Sequence, residues 1–215
     1  MENRRSLTFE FDFTRGSLPY LEDHAVDGQV VFPAAAYLEM ILAGTSEVLT
    51  EQVLEIQDAA FLQALVMGDG RLVTLRIEAR GDGVCDVRVE SQPAGAPGAE
   101  PQLHATAVVI AAAAAPGGTL ADPRARVQTG ELRALAVERF YEAVRAGGVM
   151  FGPSFRGVRE LWANGEEAIA HVALPPQLAG DASMYRIHPA LLDACLQPGF
   201  AIAQARDPAP ALLLP

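Results

Sequence analysis

The sequence predicts an α+β protein built from two copies of one unit, each an apolar helix wrapped by an antiparallel sheet. Three observations predict it. Several runs in the first half alternate apolar and polar residues with period two. Two helix-like segments, one at 33–44 and one from 188, carry almost no charge. Both open on Pro-Ala after a strand-like lead-in, as FPAAAYLEMIL (32–42) and HPALLDACLQP (188–198).

The first run, SLTFEFDF at 6–13, puts Leu7, Phe9, Phe11 and Phe13 on one face and Thr8, Glu10 and Asp12 on the other. It reads as a half-buried antiparallel strand. A loop, TRGSLPYLEDHAVDG, follows. Pro33 then suits the first position of a helix and Gly44 its stop, with Glu39 the one charge between them. RLVTLRIEA and VCDVRVE alternate around the turn RGDG at 80–83 and read as a hairpin. A long hairpin loop at 91–101 leads to a strand at 102–110, QLHATAVVI. Composition then turns small and Pro/Gly-punctuated. The division is a first unit over 1–112, a linker at 113–128 and a second unit over 129–215. The second unit reads as a helix at 131–146 ended by Gly147-Gly148, strands near 157–163 and 167–174, and the apolar helix from 188.

The chain has 215 residues, half of them apolar, enough for a sizeable core and too apolar for intrinsic disorder. Its net charge is -11, its basic residues are all arginine, and no basic stripe interleaves with aromatics. Nucleic acid is therefore not an expected partner. No run reaches the roughly 18 apolar residues of a membrane span, and the polar, alternating N-terminus is no signal peptide. Two distant cysteines, Cys85 and Cys195, make no disulfide framework, so a reducing, cytoplasmic setting is expected.

Dinucleotide, P-loop, nucleophile-elbow and zinc-protease motifs are all absent, and no His/Cys spacing suits a metal. What remains is three features. His24 begins an HxxxGxxxxP spacing with Gly28 and Pro33. The glycine permits close backbone approach, and the proline starts a helix whose free amides can hold a polarised oxygen. Imidazole, with an unperturbed pKa of about 6.5, can act as a base near neutrality. Asp193 stands one turn into an apolar helix, a costly place for a carboxylate without a partner. Gln197, four residues on, lies on the same face within hydrogen-bonding reach. Burial raises such a pKa and the helix N-terminus lowers it. Third, VMFGPSFRGVRELW at 149–162 turns at Gly152-Pro153 and offers Phe151, Phe155 and Trp162 as apolar surface. Each feature also has a plain structural reading: a packing histidine, a satisfied carboxylate, a turn on the core.

Taken in order, His24-xxx-Gly28-xxxx-Pro33, Phe151-Gly152-Pro153-Ser154-Phe155 and His188-Pro189-Ala-Leu-Leu-Asp193-Ala-Cys-Leu-Gln197 resemble the dehydratase domains of type I polyketide and fatty acid synthases. The resemblance runs from about residue 7 to the end of the chain. It implies a double hotdog fold, with the family's opening hairpin and final strands lying outside this sequence and the second hotdog incomplete. It also implies a site between the two halves, with His24 as base and Asp193 as acid. Gly28, Pro33 and Gln197 would support that site, and Phe151, Gly152, Pro153 and Phe155 would line the acyl channel.

The implied reaction removes water from a (3R)-hydroxyacyl thioester to give a trans-2-enoyl thioester. No metal or redox cofactor is implied in this domain; the substrate hangs on the phosphopantetheine of an acyl carrier protein. The implied partners are that carrier protein and neighbouring synthase domains, with a homodimer as a further option. Two departures stand out. Phe151 replaces the tyrosine of many relatives, and Pro198 directly follows Gln197, where it should kink or end the helix. The competing readings are a relative that shifts a double bond or guides cyclisation, and a non-catalytic domain that binds acyl chains or only holds the synthase together.

Overall fold

The computed structural model describes residues 6–13, 16–50, 53–68, 70–96, 98–113, 118 and 122–206. The described chain runs β1 (Ser6–Phe13), β2 (His24–Val26), β3 (Gln29–Val30), α1 (Ala34–Thr45), β4 (Leu54–Phe61), β5 (Arg71–Gly81), β6 (Val84–Pro93) and β7 (Gln102–Ala111). It continues with α2 (Pro123–Gln128), β8 (Arg133–Leu135), α3 (Val137–Ala146), β9 (Val149–Phe151), β10 (Val158–Ala163), β11 (Ala168–Val172), α4 (Pro189–Leu196) and α5 (Pro198–Arg206). One-turn 3₁₀ helices occupy Pro19–Asp23, Pro153–Phe155, Pro176–Leu178 and Ala182–Met184. No described helix is long and apolar enough to cross a membrane. The described residues fall into two compact units, one within Met1–Glu22 and Gln29–Ala115, the other within Asp23–Gly28 and Pro116–Leu214.

In the first unit, five antiparallel strands lie in the order β1-β5-β6-β7-β4. The β5–β6 hairpin closes as its sequence predicts: Asp82 and Gly83 both take positive φ, 52° and 73°, as a two-residue primed turn requires. The register then sets Leu75 opposite Val89 and Ile77 opposite Val87. With Val109 of β7 these side chains are buried, on strands that α1 packs against. Burial of each such side chain contributes roughly 1.5–3 kcal/mol. α1 is buried at Ala35, Ala36, Tyr37, Glu39 and Ile41, matching its nearly uncharged sequence.

Three details differ from the sequence expectation. Pro33 is the N-cap of α1 rather than its first residue. The helix runs through Gly44 to Thr45, because Gly44 serves close packing rather than termination: a Cβ there would lie 2.5 Å from Leu75 Cδ2. β1 alternates as read, yet Leu7 and Phe11 remain 37% and 39% exposed, since among the described residues β1 pairs with β5 on one side only. β4, not foreseen, pairs with β7. Its alternation breaks at a bulge between Gln57 and Ala60, where Asp58 takes φ 49°.

In the second unit β8, β10 and β11 form an antiparallel sheet in the order β11-β10-β8. The helix expected over 131–146 begins only at Val137. Residues 133–135 are helix-formers by propensity, but they pair with β10, setting Leu135 opposite Leu161, a tertiary override of local preference. α3 buries Phe140, Tyr141 and Val144 on one face. α2 forms within the stretch read as a linker, its start capped by the Asp122 carboxylate accepting from the Arg124 N–H at 2.9 Å. Pro198 ends one helix and starts the next: α4 stops at Leu196, Gln197 is its C-cap, and α5 begins at Pro198.

Candidate active site

His24 is the first residue of β2, not part of a loop. Its strand is short, but it pairs antiparallel with β9, placing His24 opposite Phe151. Asp23 ties this strand to the following turn. Its carbonyl accepts from Gly152 N–H at 2.7 Å, and its carboxylate accepts from Ser154 N–H at 2.8 Å. The carboxylate thereby satisfies an orphan donor at the start of the Pro153–Phe155 turn. A Cβ at Gly152 would overlap this carboxylate, which is why glycine precedes the proline. The half-buried His24 ring sits between Phe151 and Phe155, with centroid separations of 5.6 and 5.2 Å. Phe151 is 5% exposed and Phe155 0%, so both act as packing for the imidazole.

Asp193 comes from α4. Pro189 is the first helical residue, as its sequence predicts, and the His188 imidazole caps the helix by accepting from Ala190 N–H at 3.1 Å. The Asp193 side chain is buried. Burial pushes its carboxyl above the ordinary value, while the nearby His24 imidazole and the Gln197 amide pull the other way. Burial outweighs both of these neighbours. Gln197 keeps its reach to Asp193 despite Pro198: its Nε2 donates to Asp193 Oδ2 at 2.9 Å and to the Phe155 carbonyl at 2.8 Å.

The second unit thus brings together His24, Phe151, Gly152, Phe155, Asp193 and Gln197. Gly28 belongs to the same unit, exposed at φ 78° with open space around its α-carbon. Pro153 is exposed on the turn. Pro33 belongs to the first unit, as the N-cap of α1. Two residues escaped the sequence reading. They are Asp23 and Tyr141. Their partners lie 131 and 56 residues away, at Ser154 and Gln197, with no local signature. Among the described residues, no three His, Cys, Asp or Glu side chains converge in a metal-binding group. Chemically, the arrangement offers an imidazole able to accept a proton and a carboxyl inclined to keep one.

Known proteins share the sequence and the fold of this chain. Residues 1–92 match the family model described as "Polyketide synthase dehydratase domain" and 119–215 match that described as "Polyketide synthase dehydratase N-terminal domain". The chain is 38% identical over 182 residues to the pikromycin polyketide synthase component PikAII of Streptomyces venezuelae, covering 83% of this chain. It is 34% identical over 204 residues to the spectinabilin polyketide synthase system protein NorA' of Streptomyces orinoci, covering 91%. The chain spans only 5% of the length of either synthase. Among solved structures, the dehydratase domain from the CurK module of curacin polyketide synthase superposes with a TM-score of 0.81 at 28% identity, over 98% of this chain and 74% of that one. Two further similar structures are inactive mutants of the CurK dehydratase, one with a histidine changed to phenylalanine and one with an aspartate changed to asparagine. The fold is the double hotdog of these domains. With both halves matched and the fold shared, the chain belongs to the polyketide synthase dehydratase domain family.

Proposed function

We propose that this chain removes water from a (3R)-hydroxyacyl thioester, with His24 as base and Asp193 as acid. The supporting observation is the buried Asp193, its pKa raised by burial, with the His24 imidazole of the same unit near enough to act on it. His24 takes the proton alpha to the thioester. The C–H electron pair becomes the Cα=Cβ double bond, the bond from Cβ to the hydroxyl oxygen breaks, and Asp193 supplies the proton that lets this oxygen leave as water. The base then carries the proton it took and the acid lacks one, so a proton must return to Asp193 before the next turnover. The charge that grows on the thioester oxygen calls for backbone N–H donors; Gly28, with no side chain in the way, leaves backbone open to such an approach. The histidine and aspartate changes that inactivate the CurK dehydratase agree with this pairing. The substrate is carried on the phosphopantetheine of an acyl carrier protein, and the neighbouring synthase domains hand it over.

The test is mass spectrometry of a 3-hydroxybutyryl-loaded carrier protein incubated with the full chain, beside His24→Ala and Asp193→Asn. We expect the wild-type chain to release one water per acyl group. Each substitution should cut the rate by roughly 10²–10⁴, the contribution of a positioned proton transfer. A folded wild-type chain that releases no water from any of several acyl lengths would overturn the proposal.

A further inference from the structure

Tyr141 projects from the buried face of α3 and is 5% exposed. Its oxygen accepts from Val158 N–H at 3.1 Å, and its hydroxyl donates to Gln197 Oε1 at 3.0 Å. On its other side the same amide donates from Nε2 to Asp193 Oδ2 and to the Phe155 carbonyl. This network has one consistent proton arrangement. The Val158 N–H can only donate, so the tyrosine oxygen accepts there and its own proton points at Gln197. Burial also raises the Tyr141 pKa, which keeps that proton in place near neutrality. Were the Gln197 amide turned over, its oxygen would face the Phe155 carbonyl and the Asp193 carboxyl. Its NH₂ would meet a tyrosine oxygen that already accepts, leaving the tyrosine proton unpaired. In a buried site each such unmade bond costs about 1–3 kcal/mol.

We infer that Tyr141 is a positioning residue: its hydroxyl locks the Gln197 amide with the NH₂ toward Asp193, so that one carboxyl oxygen is held and the other is left to the substrate. This rests on the dehydratase reading of Asp193 for its catalytic meaning, though not for the hydrogen-bond network itself. The Gln197 donor favours the ionised carboxylate, so releasing the amide should move Asp193 further up. The other charged or titratable groups acting on this cluster are His24, Arg156, Arg159 and Cys195. Tyr141→Phe changes none of them and keeps the ring that packs on α3's neighbours.

The deciding experiment is a carboxyl ¹³C NMR titration of Asp193 in the full chain, for wild type, Tyr141→Phe, Gln197→Leu and the double variant. The expected result is an upward shift in Tyr141→Phe, a similar shift in Gln197→Leu, and no further shift in the double variant. An unchanged Asp193 titration in Tyr141→Phe, or shifts that simply add in the double variant, would overturn the inference. With the loaded carrier protein as substrate, Tyr141→Phe should lose about tenfold in kcat/KM, the worth of one hydrogen bond, with the basic limb of its pH profile moved up. A loss of rate with an unmoved limb would mark a purely structural role. A wild-type chain that is inactive yet shows the Asp193 shift would overturn the proposed reaction and leave the positioning role standing.

Discussion

Asp193 is a carboxyl kept in the folded protein under conditions that favour its neutral form, and this links stability to pH. Unfolded, the group ionises near its ordinary value of 3.8; folded, burial raises that value. Between the two, the native state binds the extra proton. Stability from this group is therefore full below the unfolded value and is lost as pH rises through the folded one. Asp193→Asn removes the titration. Urea unfolding at a series of pH values should show the variant gaining on wild type as pH rises from about 4, with the gap levelling off once the native carboxyl has ionised. Parallel curves would mean that burial does not govern this residue. His24, Asp193 and Gln197 could be singled out from the sequence because their chemistry clashes with their surroundings or their spacing sets them on one helix face. Asp23 and Tyr141 could not. Each acts through a hydrogen bond to a residue far along the chain, and nothing local distinguishes it from an ordinary surface acid or core aromatic.

At the scale of elements, α4 is held to the neighbouring turn by the absence of a side chain. A Cβ on Gly157 would lie 2.6 Å from Ala194 Cβ and 3.1 Å from the Ala173 carbonyl oxygen. That carbonyl belongs to the same residue whose N–H donates to Gly157 O at 2.9 Å. Gly157→Ala should therefore push on α4 one residue from Asp193 and destabilise the chain by about 1–3 kcal/mol, the usual cost of overpacking. Gly180→Ala, with nothing within 4 Å of its added Cβ, should stay within roughly 0.5 kcal/mol of wild type. Equal thermal denaturation of the two would refute the packing argument. Elements were legible where local pattern and tertiary role agreed. The β5–β6 hairpin combines alternation with a turn that wants positive φ, and α1 carries a single charge, Glu39, along its length. β4 and β8 were not legible: a bulge breaks the alternation of the first, and pairing with β10 overrides helix-forming residues in the second.

For the whole molecule, charge is the property with a functional consequence. The chain carries -11 against a pI near 4.8, and several of its arginines are engaged with its own carboxylates, as in Arg76–Glu90, Arg124–Glu160 and Arg126–Glu167. Carrier proteins are commonly acidic as well, so long-range attraction between the two is not available to speed their encounter. Covalent linkage in one synthase would replace it with a high effective concentration. Binding to a detached carrier protein should thus be weak, and should not weaken further as salt is raised to physiological strength, where the Debye length is about 8 Å. Submicromolar binding that salt abolishes, seen by calorimetry, would contradict this.

The sequence by itself determined the double-unit α+β architecture, the apolar helices and the three motifs, because each is written in short-range periodicity, turn chemistry and residue type. Only the tertiary structure decided that His24 opens a strand and packs against two phenylalanine rings, and that burial outweighs the His24 imidazole and the Gln197 amide at Asp193. It also decided that Gln197 keeps its hold on Asp193 beside a proline, through a tyrosine 56 residues away. Desolvation and hydrogen-bond direction depend on which distant groups come together, and no local pattern encodes that.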